Sequence, residues 1–63
     1  NIVIPIAVVT MRYNVFHGCT SLTIFAEAGS QPAGWNETWN SGDCPVFWAG
    51  EWTYVAGVPT PNP

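Results

Sequence analysis

Lysine is absent from this 63-residue chain, and arginine occurs once, at Arg12. Nucleic acid is excluded as a partner on that ground, because neutralising phosphates takes clustered Lys and Arg. The same lack argues against electrostatic docking on anionic lipid headgroups, so any membrane contact has to be apolar. Charge of either sign is scarce. Glu27, Glu37, Asp43 and Glu51 are the only acids, and charged residues make up 8% of the chain, against roughly 25% in ordinary soluble domains. A single histidine, His17, rules out a His-based metal cluster, and His17 with Cys19 falls short of the four ligands of a structural zinc site. The glycines are scattered or sit in turns, so no phosphate-cradling loop is present and no cofactor is implied. Long apolar runs are missing too. The longest, Ile2 to Val9, contains Pro5 and is far short of the roughly 20 residues needed to span a bilayer. It also lacks the basic flank of a signal peptide.

What the chain does have is apolar bulk: 48% hydrophobic residues, with four Trp, three Phe and two Tyr. A domain this small buries only about 60% of the surface its unfolded chain exposes, and monomers rarely expose large contiguous apolar patches. The surplus implies that residues 1–63 form a single chain contributing part of one domain, with the hydrophobic core shared with a second chain. Cys19 and Cys44 fit one disulfide formed in an oxidising compartment, worth roughly 3–4 kcal/mol on the chain-entropy model. Two free thiols, or cysteines paired to a partner chain, are the alternatives. A start at Asn1 without Met reads as a processed, secreted product, although an arbitrary chain boundary would look the same.

Along the chain, the β-branched run Ile2 to Val9 predicts a strand buried on both faces, at an edge or bulged at Pro5. Met11 to Phe16 continues it or hairpins from it. Thr20 or Ser21 can cap a helix whose apolar face is Leu22, Phe25 and Ala26, with Gly29 as its left-handed terminator. Residues 30–42 read as a long loop carrying Trp35 and Trp39. From Pro45 to Val55 an extended segment places Trp48, Trp52 and Tyr54 on one face, with a bulge or bend at Gly50. The tail from Val58, with Pro59, Pro61 and Pro63, has polyproline II character. The fold class expected is α+β, an α/β sandwich in which a helix packs on an antiparallel sheet.

Chemistry-bearing constellations are lacking, and the chain is not expected to be an enzyme. A Cys and His nucleophile needs a free thiol, an orienting third group and an oxyanion site. Any four carboxylates will include some pair at a glycosidase-like distance, so that signal is weak. Asn36-Glu37-Thr38 is an N-glycosylation sequon. Trp35, Trp39, Trp48 and Trp52 admit a sugar-stacking platform, but aromatics also dominate cores and interfaces. Trp48, Trp52 and Tyr54 are therefore the candidate interface aromatics. Glu27, Glu51 and the Pro63 carboxyl are the candidate pH-sensitive groups. Buried by association, they would have only Arg12 in the chain to pair with, and desolvation favours the neutral acid. The complex then holds more protons than the separated chains, so association is full in acid and is lost as pH rises.

The Lys-free acidic composition, the Cys19 and Cys44 pair, the apolar start NIVIPIAVV and the aromatic stretch CPVFWAGEWTYV together resemble the smaller, α subunits of heterodimeric salt-mediated killer toxins secreted by halotolerant yeasts. The resemblance covers the whole chain and rests on overall profile, not on a diagnostic motif. It implies a precursor cut into two subunits that together form an α/β sandwich with an antiparallel sheet and split βαβ units, similar to a virally encoded killer toxin of a smut fungus. It also implies killing of sensitive yeasts at acid pH and high salt, by action at the plasma membrane, with the subunits separating near neutrality. No catalytic or binding residue carries over. Two other classes are consistent with the residues: a small secreted lectin using the Trp platform, and a secreted hydrolase inhibitor presenting Met11-Arg12-Tyr13 or the Trp-rich loop.

Overall fold

The β-branched opening forms β1 (Ile2–Ile4) in the computed structural model, which describes residues 1–19 and 21–63. Pro5 ends this strand instead of bulging it. It has no N–H to continue a ladder, and the chain turns there, with the Val8 amide donating to the Pro5 carbonyl at 3.1 Å. The expected strand through Val9 is thus cut to three residues, and Ile6 and Val9 lie on the surface. Met11 to Phe16 is not a second strand. Met11 makes one isolated parallel bridge to Trp35, after which successive turns run to Cys19.

The helix expected after residue 20 is absent. The Thr20 cap lies outside the described residues, but Ile24–Ala26 is a strand, β2, with all three residues buried. Leu22, Phe25 and Ala26 do have helical spacing, yet Thr23 and Ile24 between them are β-branched, and an amphipathic helix would need a polar face there. A continuous apolar run suits a central strand covered on both sides, which is the place it occupies. Gly29 has no left-handed backbone, so it terminates no helix.

The third strand, β3 (Val46–Phe47), completes a parallel sheet of order β1-β2-β3. The register aligns Ile2 with Ile24 and Val46, and Val3 with Phe25 and Phe47. Two corrections to the expected architecture follow: the main sheet is parallel, and no helix occurs among the described residues. The molecule is a small β-rich fold, not an α+β sandwich with a packed helix. Parallel strands demand long crossovers, usually helical. Here both crossovers are strings of turns, stitched to each other by Met11 N–H to Gly34 O (3.4 Å), Asn36 N–H to Met11 O (2.8 Å) and Asn14 N–H to Thr38 O (3.0 Å). Gly34 is required at this seam, since a side chain would run into the Val9 carbonyl.

Residue alternation gives the sheet two faces. On one, Ile4 and Ile24 meet Phe16, Trp35, Trp39 and Cys44, with Trp48 packed alongside. Trp35 and Trp39 interlock edge to face at 4.7 Å. Their indole N–H groups are satisfied by the Val8 carbonyl (3.1 Å) and Gln31 Oε1 (3.0 Å). The 30–42 loop therefore supplies two of the six buried residues of this core cluster. On the other face, Phe25 stacks on Phe47 at 5.5 Å and is covered by Trp52 at 5.3 Å.

Trp52 belongs to β4 (Trp52–Val55), which pairs antiparallel with β5 (Val58–Pro61). The chain from Pro45 to Val55 is thus not one segment, because it bends at Gly50, whose φ is +91°. The tail is not free polyproline II either. Ala56 and Gly57, both with positive φ (51° and 81°), make the two-residue turn that matches the twist of a hairpin.

Candidate functional site

With no cavity and no cluster of metal-ligating side chains among the described residues, the features capable of recognition are exposed side chains and strand edges. Unpaired edges carry rows of amide donors and acceptors ready for another strand. The two sheets have four edges, and they differ in how open they are.

On β1, Ile2 and Ile4 bond toward β2, through Ile2 N–H to Thr23 O and Glu27 N–H to Ile4 O, both 3.0 Å. Only Val3 faces outward, and Pro5 follows without a donor. β3 is two residues long, and just past its end the outward Trp48 amide is already taken by Glu51 Oε1 at 2.8 Å. In the hairpin, the two-residue turn makes Val55 and Val58 a hydrogen-bonded pair, and the alternation of an antiparallel ladder repeats this at Thr53 and Thr60. The Asn62 amide bonded to Glu51 O at 2.9 Å extends the same phase. Pro59 and Pro61 therefore lie where an N–H would point away from β4. The outer edge of β5 has lost both donors. By the same phase Trp52 and Tyr54 turn their N–H and C=O groups to the outer edge of β4, where they meet no backbone or side-chain partner among the described residues. This is the one edge with two successive residues open for pairing. Tyr54, Val55 and Val58 beside it are 56%, 56% and 54% exposed, and no charged side chain occurs from Trp52 to Asn62.

The residues singled out from sequence fall in several places. The three expected interface aromatics do not share a face. Trp48 packs on Trp35 and Trp39. Trp52 is buried, its indole N–H donating to the Ala26 carbonyl at 2.9 Å. Tyr54 alone is exposed, edge-on to Trp52 at 5.1 Å. Glu27 and Glu51 are exposed, and their carboxylates clamp turns: Glu27 Oε1 accepts the Ile6 amide (2.9 Å) and Glu51 Oε1 the Trp48 amide. Pro63 is exposed beyond the end of β5. Arg12 and Tyr13 are exposed in a turn next to the Met11 bridge.

The expected Cys19–Cys44 disulfide is not formed, and both cysteines are free. The fold brings them together through the wrong atom of Cys19. Cys44 is buried with its Sγ donating to the Cys19 carbonyl at 3.3 Å, while Cys19 itself is exposed. Asn40 holds Cys44 in place with two bonds, Nδ2 to Cys44 O (2.8 Å) and Cys44 N–H to Oδ1 (3.0 Å). The four tryptophans do not form the sugar-stacking platform their number admits, since Trp35, Trp39 and Trp52 are buried and Trp48 is half-buried.

Sequence reasoning missed the β4 edge because it treated the tail as separate from the strand. Two signals could have found it. Val-Ala-Gly-Val is a two-residue turn between β-forming pairs, and prolines two apart place both missing donors on one edge. No known family model matches the chain, and neither characterised proteins nor solved structures show significant similarity to it.

Proposed function

We propose that this chain is a non-enzymatic subunit of a secreted two-chain protein, and that the second chain, from the same precursor, adds a strand to the outer edge of β4. The observation that carries this reading is the contrast between edges: prolines remove the donors on β5, while Trp52 and Tyr54 leave theirs open. Strand addition supplies main-chain hydrogen bonds for affinity, and exposed apolar side chains flank the edge on both faces of the hairpin, Tyr54 on one and Val55 with Val58 on the other.

The activity follows from the sequence resemblance to the α subunits of salt-mediated yeast killer toxins. The assembled protein kills sensitive yeasts at acid pH and high salt by acting at their plasma membrane, and the isolated chain is inactive. Acid favours assembly because the partner desolvates one or more of Glu27, Glu51 and the Pro63 carboxyl, which are exposed in the single chain. Native mass spectrometry of secreted material tests the reading: a two-chain complex is expected at pH 4 and separated chains at pH 7, with growth inhibition only by the complex. A stable monomer at both pH values overturns it. Tyr54→Pro removes an outward donor without touching a β4–β5 bond, and is expected to weaken the complex while the hairpin persists.

A further inference from the structure

The loop that carries Trp35 and Trp39 into the core also carries the sequon on its outside. Asn36, Glu37 and Thr38 are all exposed, between two tryptophans that are buried. The sequon is held in one shape at several points. The Asn36 amide donates to the Met11 carbonyl at 2.8 Å, and the Thr38 carbonyl accepts the Asn14 amide at 3.0 Å. Asn36 Oδ1 accepts both the Thr38 amide (2.9 Å) and the Thr38 hydroxyl (2.8 Å). The two polar atoms of the carboxamide thus differ. Oδ1 is fully used, whereas no hydrogen bond involves Nδ2 among the described residues. The nitrogen is the atom that N-glycosylation consumes, and it is left free on an exposed residue.

We infer that Asn36 is an N-glycosylation site of this chain. In the reaction Asn36 Nδ2 attacks C1 of the first sugar of a lipid-diphosphate-linked oligosaccharide. The Nδ2–C1 bond forms, the bond from C1 to the phosphate oxygen breaks, the lipid diphosphate leaves, and a proton is lost from Nδ2. The product keeps Oδ1 as an acceptor, so the two bonds from Thr38 survive modification. The sequon lies in the loop that covers the Ile24 face of the parallel sheet, whereas the hairpin with β4 is attached to the Phe25 face by Trp52. A glycan at Asn36 therefore leaves the β4 edge open. Trp39, two residues from Glu37, is buried and donates its indole N–H to Gln31 Oε1, so it offers the sugar no stacking face.

The inference rests on the secreted reading, because the transferase acts only on chains entering the secretory pathway. The test is to express the full chain with its partner segment behind a secretory leader in yeast and measure its mass before and after peptide N-glycosidase treatment. A mass above the 6.8 kDa of the polypeptide, removed by the enzyme with conversion of Asn36 to Asp, is expected. Thr38→Ser keeps the modification; Asn36→Gln and Thr38→Ala abolish it independently, so a folding defect in one variant does not decide the matter. A secreted, assembled chain of unmodified mass overturns this inference alone. A chain glycosylated at Asn36 that never assembles overturns the two-chain reading alone.

Discussion

Replacing Trp52 by Phe separates two roles for the same residue. In the structure Trp52 is 9% exposed, lies over Phe25 and donates its indole N–H to the carbonyl of fully buried Ala26. Phenylalanine keeps an aromatic ring over Phe25 but removes the donor, leaving a carbonyl that has no water to turn to. An unsatisfied buried acceptor costs about 1–3 kcal/mol, and the smaller ring adds a modest packing loss. A loss of about 2–3 kcal/mol is therefore expected in the isolated chain. A 63-residue domain has about 3–9 kcal/mol in total, so the variant stays folded but melts markedly earlier, whereas Trp52→Ala is expected to lose most of its tertiary structure. The assay is urea unfolding at acid pH followed by tryptophan fluorescence, with the slope compared between variants so that a change in midpoint reports stability. Were Trp52 an exposed contact for another chain, as its place in the sequence suggested, Trp52→Phe would weaken only association. An isolated variant within about 0.5 kcal/mol of the parent, the usual range for surface changes, would refute the packing described.

Two other substitutions test the frame around that hairpin and the core. Gly34→Ala puts a methyl group against the Val9 carbonyl and is expected to cost about 1–3 kcal/mol as the seam between crossovers is forced apart; an unchanged thermal midpoint would contradict the close approach. Ala56→Asn places a residue tolerant of positive φ at the first turn position of the hairpin, where Ala56 now has φ 51°. It is expected to raise stability by about 0.5–1 kcal/mol, and a lowered urea midpoint would contradict the turn assignment.

The parts of this fold that were legible in the sequence are those fixed by local chemistry. The start of β1 follows from Ile2, Val3 and Ile4 and the bend from Gly50, whereas Pro5, expected only to bulge a strand running to Val9, ends it. The loop over residues 30–42 was recognisable from its Gly, Pro, Asn and Ser content, but not its destination: two tryptophans on a polar loop can face either way, and only the crossover geometry turns Trp35 and Trp39 inward. The failure at Ile24–Ala26 has a definite cause. A helical face of Leu22, Phe25 and Ala26 and the buried strand Ile24–Ala26 compete for the same stretch, and the strand wins only because it has neighbours on both sides, β1 and β3, which are distant in the sequence. The Cys19 and Cys44 pairing was half legible. The residues do come together, but the contact runs through the Cys19 carbonyl, and no spacing rule distinguishes backbone from sulfur. At the candidate site, the composition gave the surplus of apolar surface, while the identity of the open edge needed the hairpin phase set by Ala56 and Gly57.

That phase is also the most direct handle on the central proposal. Amide hydrogen exchange resolved at single residues, on the isolated chain and on the two-chain complex at acid pH, reads whether the β4 edge is taken. Tyr54, whose N–H points outward, is expected to exchange rapidly in the isolated chain and to become strongly protected in the complex, while Thr53 and Val55, bonded to β5, are protected in both. Equal exchange at Tyr54 with and without the second chain would contradict strand addition at β4.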